Sequence, residues 1–317
     1  MELNTLLQYK PYSTARTEKR ALYAGLLTGL TQFHRERCPE YGRLLDALGC
    51  PPHMDCTVES TPMLPVSLFK ELELRSIPEG EVFKTITSSG TTGQRVSRIF
   101  LDGATSACQQ QALCQIMSDF LGERRLPFLV LDSRQVLRNR AMFSARGAGI
   151  LGFSIFGTRP CYALDEHMEL DLDGVRAFLE EHQGETIFLF GFTFIIWKHV
   201  VRALEERGER LDIPNGILVH GGGWKKLAGE AVSPGEFKAR VAAATGVERV
   251  SNYYGMAEQT GCIYMECPQG HLHASLWSDI VVRRGGGHRP PGAGGGGGGL
   301  RPPPPPSAPP PPPPRKG

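Results

Sequence analysis

Residues Phe83 to Val96 read FKTITSSGTTGQRV, and the central segment Thr87–Gly93 decides how the rest of the chain is interpreted. All seven of these central residues are small, and five of them carry a hydroxyl. Gly90 and Gly93 permit tight backbone conformations and a close approach to a ligand. The N–H groups and hydroxyls of such a loop can converge on an anion, and a polyphosphate is the natural candidate. The hydroxyl-bearing residues are Thr87, Ser88, Ser89, Thr91 and Thr92.

The apolar runs Val82–Ile86 and Val96–Leu101 flank this segment and predict a strand–loop–strand element. The segment is not the common phosphate-binding loop, which has four residues between its glycines, continues with Lys and Ser or Thr, and opens a helix. Here two residues separate Gly90 from Gly93, and Gln94 follows. A hydroxyl-rich hairpin turn is the alternative interpretation, since Ser, Thr and Gly are ordinary turn residues. The absence of Asn, Asp and Pro from the segment favours phosphate binding.

Strand-like and helix-like segments alternate along the chain, which predicts an α/β fold with a mostly parallel sheet covered on both faces. The expected strands are Pro127–Leu131, Thr186–Phe190, Ile217–His220 and Val247–Ser251. The small-residue run Asn139–Phe156 is interpreted as a helix packed closely against the sheet. Two more helices are expected at Ala15–Leu48, with a break at Pro39, and at Ala104–Leu121. A third is capped by Asp171 or Asp173 and runs to His182, and a fourth is capped by Thr193 and ends near Arg207–Gly208. A fifth runs from Ser233–Pro234 to Gly246.

Composition divides the chain of 317 residues into three parts. Residues 1–60 are expected to be a helical N-terminal segment, and residues 61–284 the α/β domain. Residues 285–317 are dominated by Gly and Pro and contain no acid, so they are expected to be disordered. The proline runs could dock onto a proline-reading domain, but a shifted reading frame in a G+C-rich gene is the preferred explanation of this tail. The formal net charge is +2, and the Lys and Arg residues form no cluster in the sequence, so no nucleic-acid partner is expected.

The start of the chain, MELNTLLQYKPYS, lacks the apolar core of a secretory signal. The most apolar run, Thr186–Trp197, is too short to span a bilayer, so no membrane span is expected. Eight cysteines are scattered without a CxxC pair. Reduced thiols in the cytoplasm are therefore the expected state, rather than a disulfide framework.

Three loops are expected at strand ends, where open α/β sheets bind their ligands. The first is Thr87–Gly93. The second is Gly221-Gly222-Gly223-Trp224-Lys225, which follows Ile217–His220, and the third is Tyr253-Tyr254-Gly255-Met256-Ala257-Glu258. Glycines let a flat ring lie against the backbone, while Tyr254 offers a stacking surface and Glu258 a hard oxygen ligand for Mg²⁺. Taken singly, each loop is an ordinary turn; the order and spacing of all three make a nucleotide site the preferred interpretation.

The motifs TSSGTTG, GGGWK and YYGMAE resemble, in this order, the signatures of the adenylate-forming superfamily. Within it, SARGAGILGF, HGGGWKK and YYGMAEQ are most similar to the LuxE-type acyl-protein synthetases, and phenylacetate–CoA ligases are related. The resemblance implies the large N-terminal domain of these enzymes, without their small C-terminal lid domain. It implies that Thr87–Gly93 binds the phosphates of ATP, that Gly221–Gly223, Tyr254 and Gly255 contact the nucleotide, and that Glu258 is catalytic and holds Mg²⁺.

The activity implied by the resemblance is ATP-dependent activation of a carboxylic acid, in particular a long-chain fatty acid, as an acyl-adenylate. The acyl group would then pass to a thiol of an acceptor protein such as an acyl reductase. Two alternatives stay open: an aryl- or acyl-CoA ligase with coenzyme A as the acceptor, and a truncated chain that binds nucleotide without catalysis. Gly191–Trp197 could line an acyl pocket, although a place in the core is the simpler interpretation.

The chain departs from the superfamily pattern in three places. Arg95-Val96 stands where Pro-Lys is frequent, and Ala257 stands where a hydroxyl residue often precedes the metal-binding glutamate. The Gly/Pro tail occupies the place of a ribose-binding aspartate and of the C-terminal part that carries the acylated cysteine. No residue of this chain is therefore assigned to those two roles.

Three further sites offer reactive side chains for which structural roles are preferred. Cys267, His271 and His273 are of zinc-ligand types, but a turn between two strands with surface histidines is the preferred interpretation. His220 is interpreted as a strand-end histidine rather than a base, and Cys161 as a packed thiol rather than a nucleophile.

Overall fold

The computed structural model of the protein describes residues 6–88, 95–137 and 145–282. The expected tail and most of the Thr87–Gly93 loop lie outside these ranges. The α-helices are α1 (Arg16–Arg37), α2 (Pro39–Ala47), α3 (Leu68–Glu71), α4 (Gly103–Leu121), α5 (Ala145–Phe153), α6 (Leu172–Glu181), α7 (Thr193–Ile195), α8 (Arg202–Arg207) and α9 (Pro234–Thr245). The strands are β1 (Lys84–Thr87), β2 (Arg98–Leu101), β3 (Leu126–Ser133), β4 (Gly157–Leu164), β5 (Ile187–Phe192), β6 (Gly216–Gly221), β7 (Arg249–Tyr254), β8 (Tyr264–Glu266) and β9 (Leu272–His273).

In the described part of the chain, seven strands form one sheet in the order β4-β3-β5-β6-β7-β8-β9. The five strands from β4 to β7 are parallel, and β8 and β9 are added as antiparallel strands at one edge. The connection after β3 leads to β4 on one side, whereas the connection after β5 leads to β6 on the other. The predicted α/β class with a mostly parallel sheet is confirmed, and its carboxyl edge is where ligands of such sheets bind.

One face of the sheet is covered by α5, and the approach of this helix is very close. The Phe153 ring stacks on Phe190 with centroids 4.4 Å apart. A Cβ atom at Gly149 would lie 2.9 Å from the Phe192 ring, so a larger residue would push the helix outward. The prediction that the small-residue run forms a closely packed helix is therefore confirmed for the described residues.

The opposite face is covered by α9 and by a π-helical segment, Ile196–Val201, that joins α7 to α8. Trp197 stacks on Phe237 of α9 with ring centroids 6.2 Å apart, and both side chains are buried. Phe192, Ile195 and Ile196 are also buried. The run Gly191–Trp197 thus belongs to the hydrophobic core, as the simpler of the two interpretations stated.

Helix caps follow the predicted pattern with one exception. Asp171 accepts a hydrogen bond from Gly174 N at 3.0 Å, and Ser233 accepts one from Glu236 N at 3.1 Å. Gly208 and Gly246 end their helices in the left-handed conformation, where glycine carries no Cβ penalty. The prediction that Thr193 caps its helix is wrong, because Phe192 occupies the N-cap position and the Thr193 hydroxyl makes its hydrogen bonds to the end of β6 and the turn that follows.

The strand β4 did not follow from the sequence pattern. It contains Arg159 and Pro160, the first with a φ of 46° and the second without an N–H group. Proline is tolerated in a strand whose N–H side is unpaired, and β4 is the edge strand of the sheet. Its Cys161 thiol is partly buried, and burial raises the pKa of Cys161 to about 11, consistent with the packed thiol that the sequence favoured.

The N-terminal helices are tied to the chain that follows β9. The buried Lys19 ammonium donates to the carbonyls of Ser275, at 2.8 Å, and Ser278, and burial lowers the pKa of Lys19. Tyr23 Oη donates to Leu276 O at 2.7 Å. Since a buried charge needs such partners, these contacts hold α1 in one position against the α/β domain. Over the ranges described, no helix is both long and apolar enough to cross a membrane.

Candidate functional site

The second and third predicted loops lie side by side at the carboxyl edge of the sheet. Strands β6 and β7 are parallel neighbours, and their register pairs Gly221 with Tyr253. The turn Gly221–Gly223 and the segment that begins at Tyr254 therefore leave the sheet from adjacent positions. This is the arrangement in which open α/β sheets form a ligand crevice.

The three glycines of the second loop differ in what surrounds them. A Cβ atom at Gly221 would lie 2.4 Å from the Tyr253 ring, so this glycine is required by packing. Gly222 has a φ of 74°, which favours glycine, and a Cβ there would lie 3.1 Å from Phe192. Gly223 has no atom within 4 Å of its Cβ position. The loop thus leaves open space beside Gly223 and none beside Gly221.

The two adjacent tyrosines of the third loop have different environments. The Tyr253 ring packs against Phe153 with centroids 5.0 Å apart, and burial raises the pKa of Tyr253 to about 12. Tyr254 is 50% exposed, and its ring contacts Tyr264 with centroids 6.1 Å apart. Of the two, Tyr254 is the one with an aromatic surface available to a ligand.

Glu258 lies in the loop between β7 and β8 and is partly buried. Its carboxylate makes no hydrogen bond or ion pair with any residue of the described ranges. The loop itself is anchored, since Gln259 donates to Tyr264 Oη at 2.5 Å and a Cβ at Gly261 would lie 3.5 Å from Gln109 of α4. The anchored loop therefore presents an unpaired carboxylate.

An unpaired carboxylate of this kind fits Mg²⁺, which proteins usually bind through one or two carboxylates together with substrate phosphates. No group of three or more His, Cys, Asp or Glu residues suited to a metal ion occurs among the residues that the structure describes. A magnesium ion at Glu258 would thus need oxygen ligands from a bound phosphate compound.

The first predicted loop lies on a separate two-stranded sheet. Strands β1 and β2 are antiparallel, with Thr87 opposite Arg98, which confirms the strand–loop–strand prediction. Ser88 Oγ accepts a hydrogen bond from Ser97 N at 3.0 Å, and Ser88 N donates to Ser97 O at 3.2 Å. Ser88 therefore closes the base of the hairpin. The predicted phosphate-binding residues Ser89, Gly90, Thr91, Thr92 and Gly93 lie outside the described ranges, so only Thr87 and Ser88 of that set are placed.

Helix α4 connects this hairpin to the third predicted loop. It begins directly after β2, and Gln109 in its first half faces the loop that carries Glu258. Near its end, Phe120 O accepts a hydrogen bond from Arg249 of β7 at 3.2 Å. The first half of α4, next to the hairpin, thus lies against the loop that carries Glu258, and its last turn contacts the opposite end of β7.

His220, at the end of β6, is 5% exposed. Burial, with a smaller effect of Lys238, lowers the pKa of His220 to about 3. The imidazole is thus neutral at ordinary pH, which fits the predicted strand-end histidine and not a base open to substrate. Its Nδ1 atom lies 2.9 Å from Thr193 Oγ1.

Two polar groups near the site were missed by the sequence interpretation. The buried Glu266 carboxylate accepts a hydrogen bond from Asn252 N at 2.8 Å and pairs with Lys238 at 3.0 Å. The buried Thr193 hydroxyl contacts the carbonyl oxygens of Gly221 and Gly222. A hydroxyl residue directly after a buried strand was the only sequence signal for Thr193, and a helix cap explained it equally well.

The segment Cys267–His273 forms the predicted turn between two strands. Cys267 N donates to His271 O at 2.9 Å, and β8 and β9 pair on either side of the turn. Both His271 and His273 are exposed. The segment is explained as a hairpin with surface histidines.

Two solved structures of a CoA ligase have a similar fold. A 2-hydroxyisobutyryl-CoA ligase in complex with 2-HIB-AMP and CoA, in the thioesterification state, aligns with a TM-score of 0.59 at 18% identity over 86% of this chain and 57% of that one. Its open conformation aligns with a TM-score of 0.53 at 17% identity over 79% and 55% of the two chains. At this identity the likeness shows the fold, and the chain spans little more than half the length of those structures.

Comparison with curated proteins yields no match. The sequence profile of the family described as acyl-protein synthetase, LuxE, matches residues 2–299. This match covers most of the chain, including the hairpin, the glycine turn and the Glu258 loop. The chain belongs to the LuxE acyl-protein synthetase family.

Proposed function

We propose that this protein uses ATP to activate a carboxylic acid, in particular a long-chain fatty acid, as an acyl-adenylate and then transfers the acyl group to a protein thiol. The observation that carries the proposal is the adjacency of the Gly221–Gly223 turn and the Tyr254–Glu258 loop at the carboxyl edge of β6 and β7. Family membership supports the same activity. All eight cysteines are free thiols, which supports a cytoplasmic location, where thiols stay reduced.

The proposal assigns a part of the nucleotide to each of the three predicted loops. Adenine lies in the open space beside Gly223 and stacks on the exposed ring of Tyr254. The exposed Gly255, next to Tyr254, is assigned a contact with the same nucleotide. The phosphates are assigned to the hairpin segment Thr87–Gly93, whose N–H groups and hydroxyls are of the kind that binds anions.

The reaction joins two anions, so its barrier is largely electrostatic. A carboxylate oxygen attacks the α-phosphorus of ATP, the new O–P bond forms, and pyrophosphate leaves with the electrons of the broken O–P bond. Oriented N–H dipoles offset the charge that develops, and positioning of the two reactants supplies much of the remaining rate enhancement. Mg²⁺, which Glu258 would hold, supplies further charge stabilisation when bound.

The test is carboxylate-dependent exchange of labelled pyrophosphate into ATP by the whole chain. We expect exchange with a long-chain fatty acid and no exchange when the acid is omitted. Nucleotide binding without exchange for any carboxylate would instead identify a non-catalytic binding protein. Failure to bind ATP at all would overturn the proposal.

A coenzyme A ligase is the second candidate, because one of the structural neighbours is a CoA ligase with CoA bound. It predicts exchange with an aryl acid such as phenylacetate, and release of AMP only when coenzyme A is added. Under the first proposal, AMP release requires an acceptor protein with a reactive thiol, such as an acyl reductase. An assay of AMP release, with coenzyme A or an acceptor protein added separately, therefore distinguishes the two candidates.

Gly223→Ala tests the adenine position separately from the fold. Its added Cβ meets no atom within 4 Å, so we expect the free energy of unfolding to change by less than about 0.5 kcal/mol. The same methyl group intrudes on the space assigned to adenine, so ATP affinity should fall about tenfold, or about 1.4 kcal/mol. Urea unfolding and calorimetric titration with ATP measure the two quantities.

Gly221→Ala is the contrasting variant. Its Cβ would lie 2.4 Å from the Tyr253 ring, and overpacking of this kind costs about 1–3 kcal/mol of stability. If Gly223→Ala binds ATP as the wild type does, adenine does not lie beside Gly223.

A further inference from the structure

A buried hydroxyl lies directly beneath the glycine turn. Thr193 follows β5 at the start of α7 and is 6% exposed. Its Oγ1 atom lies 3.1 Å from Gly221 O, 3.0 Å from Gly222 O and 2.9 Å from His220 Nδ1. The side chain that the sequence assigned to a helix cap therefore links the end of β5 to the end of β6 and to the turn that follows.

The protons in this cluster can be assigned by counting donors. A threonine hydroxyl has one proton to donate and two lone pairs to accept with. Carbonyl oxygens only accept, so Thr193 Oγ1–H must be directed at Gly221 O and Gly222 O as a three-centre bond. Oγ1 then has to accept from His220, which requires the proton on Nδ1. This is the only placement of the two protons in which all three contacts are hydrogen bonds.

The charge state of His220 agrees with the assignment. The imidazole packs against the Phe237 ring, with ring centroids 4.6 Å apart. Burial lowers the pKa of His220 to about 3, so the ring carries a single proton at ordinary pH. A neutral ring with its proton on Nδ1 gives the chain His220 Nδ1–H to Thr193 Oγ1–H to the two carbonyls.

This chain of hydrogen bonds acts on the peptide groups that set the shape of the turn. Gly222 has a φ of 74°, and a glycine can adopt several other backbone conformations at little cost. Its carbonyl is one of the two that Thr193 binds, and Gly223, with open space beside it, comes next. Gly222 lies beyond the end of β6. Without the Thr193 hydroxyl its carbonyl would lose this interior partner and could turn toward water, and the turn would lose its single conformation.

We propose that Thr193 and His220 are positioning residues that hold the Gly221–Gly223 turn in the conformation that receives the adenine of ATP. The inference rests on the proposed function, because it concerns the same nucleotide. Neither residue touches the ligand. Both lie beneath the turn in the interior and act through its two carbonyl groups, so they set the affinity for the nucleotide and not that for the carboxylate.

Thr193→Val and Thr193→Ser form the central pair of the test. Valine keeps the shape of the side chain and removes the hydroxyl, whereas serine keeps the hydroxyl. We expect Thr193→Val to raise the Kd and the KM for ATP about tenfold, the effect of one buried hydrogen bond to an ordered turn. The KM for the carboxylic acid should stay at the wild-type value, and Thr193→Ser should restore ATP affinity.

His220→Asn and His220→Leu extend the test to the second residue. Asparagine places an amide N–H close to the position of Nδ1, whereas leucine offers no donor. We expect His220→Leu to weaken ATP binding as Thr193→Val does and His220→Asn to retain most of it. Because both residues act in one chain, the double variant Thr193→Val/His220→Leu should be no weaker than the worse single variant.

The outcomes separate this inference from the proposed function. A wild-type chain that fails to bind ATP overturns both. If the wild type binds ATP and a folded Thr193→Val or His220→Leu binds it equally well, the positioning role alone is wrong. A merely structural role would lower the unfolding midpoint and leave the KM values for ATP and the acid both unchanged, or raise both. Each of these two KM patterns overturns the inference. If Thr193→Val fails to fold, the comparison of His220→Asn with His220→Leu decides.

Discussion

Arg146→Met is expected to lower the free energy of unfolding by about 3–5 kcal/mol, because it leaves a buried carboxylate without its ion partner. Asp132, at the end of β3, has an exposed fraction of 0%. Its Oδ2 accepts from Arg146 Nε at 2.9 Å, and its Oδ1 accepts from the Arg146 guanidinium and from Ser133 N. The Ser133 contact remains in the variant, but it cannot compensate a full negative charge in the interior.

The matched controls distinguish the cost of a bare charge from the loss of an ion pair. In Asp132→Leu/Arg146→Met both charges are removed, and we expect most of the lost stability to return, as for other buried pairs replaced by apolar residues. Arg176 pairs with Glu209 at 2.6 Å, but both side chains are more than 40% exposed. Arg176→Met should therefore cost less than about 1 kcal/mol.

Urea unfolding of the four proteins measures these differences. If Arg146→Met lies within about 1 kcal/mol of the wild type, the Asp132 charge is not effectively buried. A double variant as unstable as the single one would show that the loss comes from side-chain packing.

The Asp132–Arg146 pair also explains how α5 is held on the sheet. Arg146 is the second residue of α5, and Phe153 at the end of that helix contacts Tyr253 next to the glycine turn. Rigid docking of α5 thus holds the Tyr253 ring in place against Gly221. A loss of nucleotide affinity in Arg146→Met would follow from looser packing and not from contact with ATP.

The sequence was most informative where one residue determines local geometry. Ser233 and Gly246 define the ends of α9 because a hydroxyl accepts from a free N–H and glycine adopts the left-handed conformation at no cost. The buried strands β5 and β6 were predictable because a strand with both faces covered is a nearly continuous apolar run. The alternation of strands and helices was sufficient for the fold class.

The sequence was uninformative where tertiary contacts decide. Strand β4 contains Arg159 and Pro160, and only its place at the sheet edge makes these residues acceptable. The hydroxyl of Thr193 could serve a helix cap or a neighbouring strand, and the position of β6 selects the second. The glycines of the turn look equivalent in sequence, and only the place of the Tyr253 ring distinguishes Gly221 from Gly223.

The largest expected effect on activity is that of Glu258→Gln. We expect carboxylate-dependent pyrophosphate exchange to fall by on the order of 100-fold, because loss of the carboxylate weakens the hold on the cation that offsets phosphate charge. The amide is nearly the same size as the carboxylate, and the wild-type side chain makes no ion pair with a described residue. Stability should therefore be unchanged, and the loss should appear only in catalysis and in the metal requirement.

Glu248→Gln is the matched control for this variant. Glu248 is exposed and lies just before β7, at the opposite end of that strand from Tyr254 and Glu258. The same change of charge therefore occurs in the same part of the sheet but away from its carboxyl edge, where the phosphates are proposed to bind. Exchange by Glu248→Gln should equal that of the wild type at every magnesium concentration.

Magnesium titration of the exchange rate separates a metal-binding role from other roles of Glu258. In the wild type the rate should saturate at low magnesium, whereas Glu258→Gln should need at least about tenfold more metal, equivalent to about 1.4 kcal/mol of binding energy. ATP binding measured without metal should be equal in both proteins, since the carboxylate does not contact adenine in the proposed arrangement. A variant with a lower maximum rate and an unchanged magnesium requirement would show that Glu258 acts on the reacting groups and not through a cation.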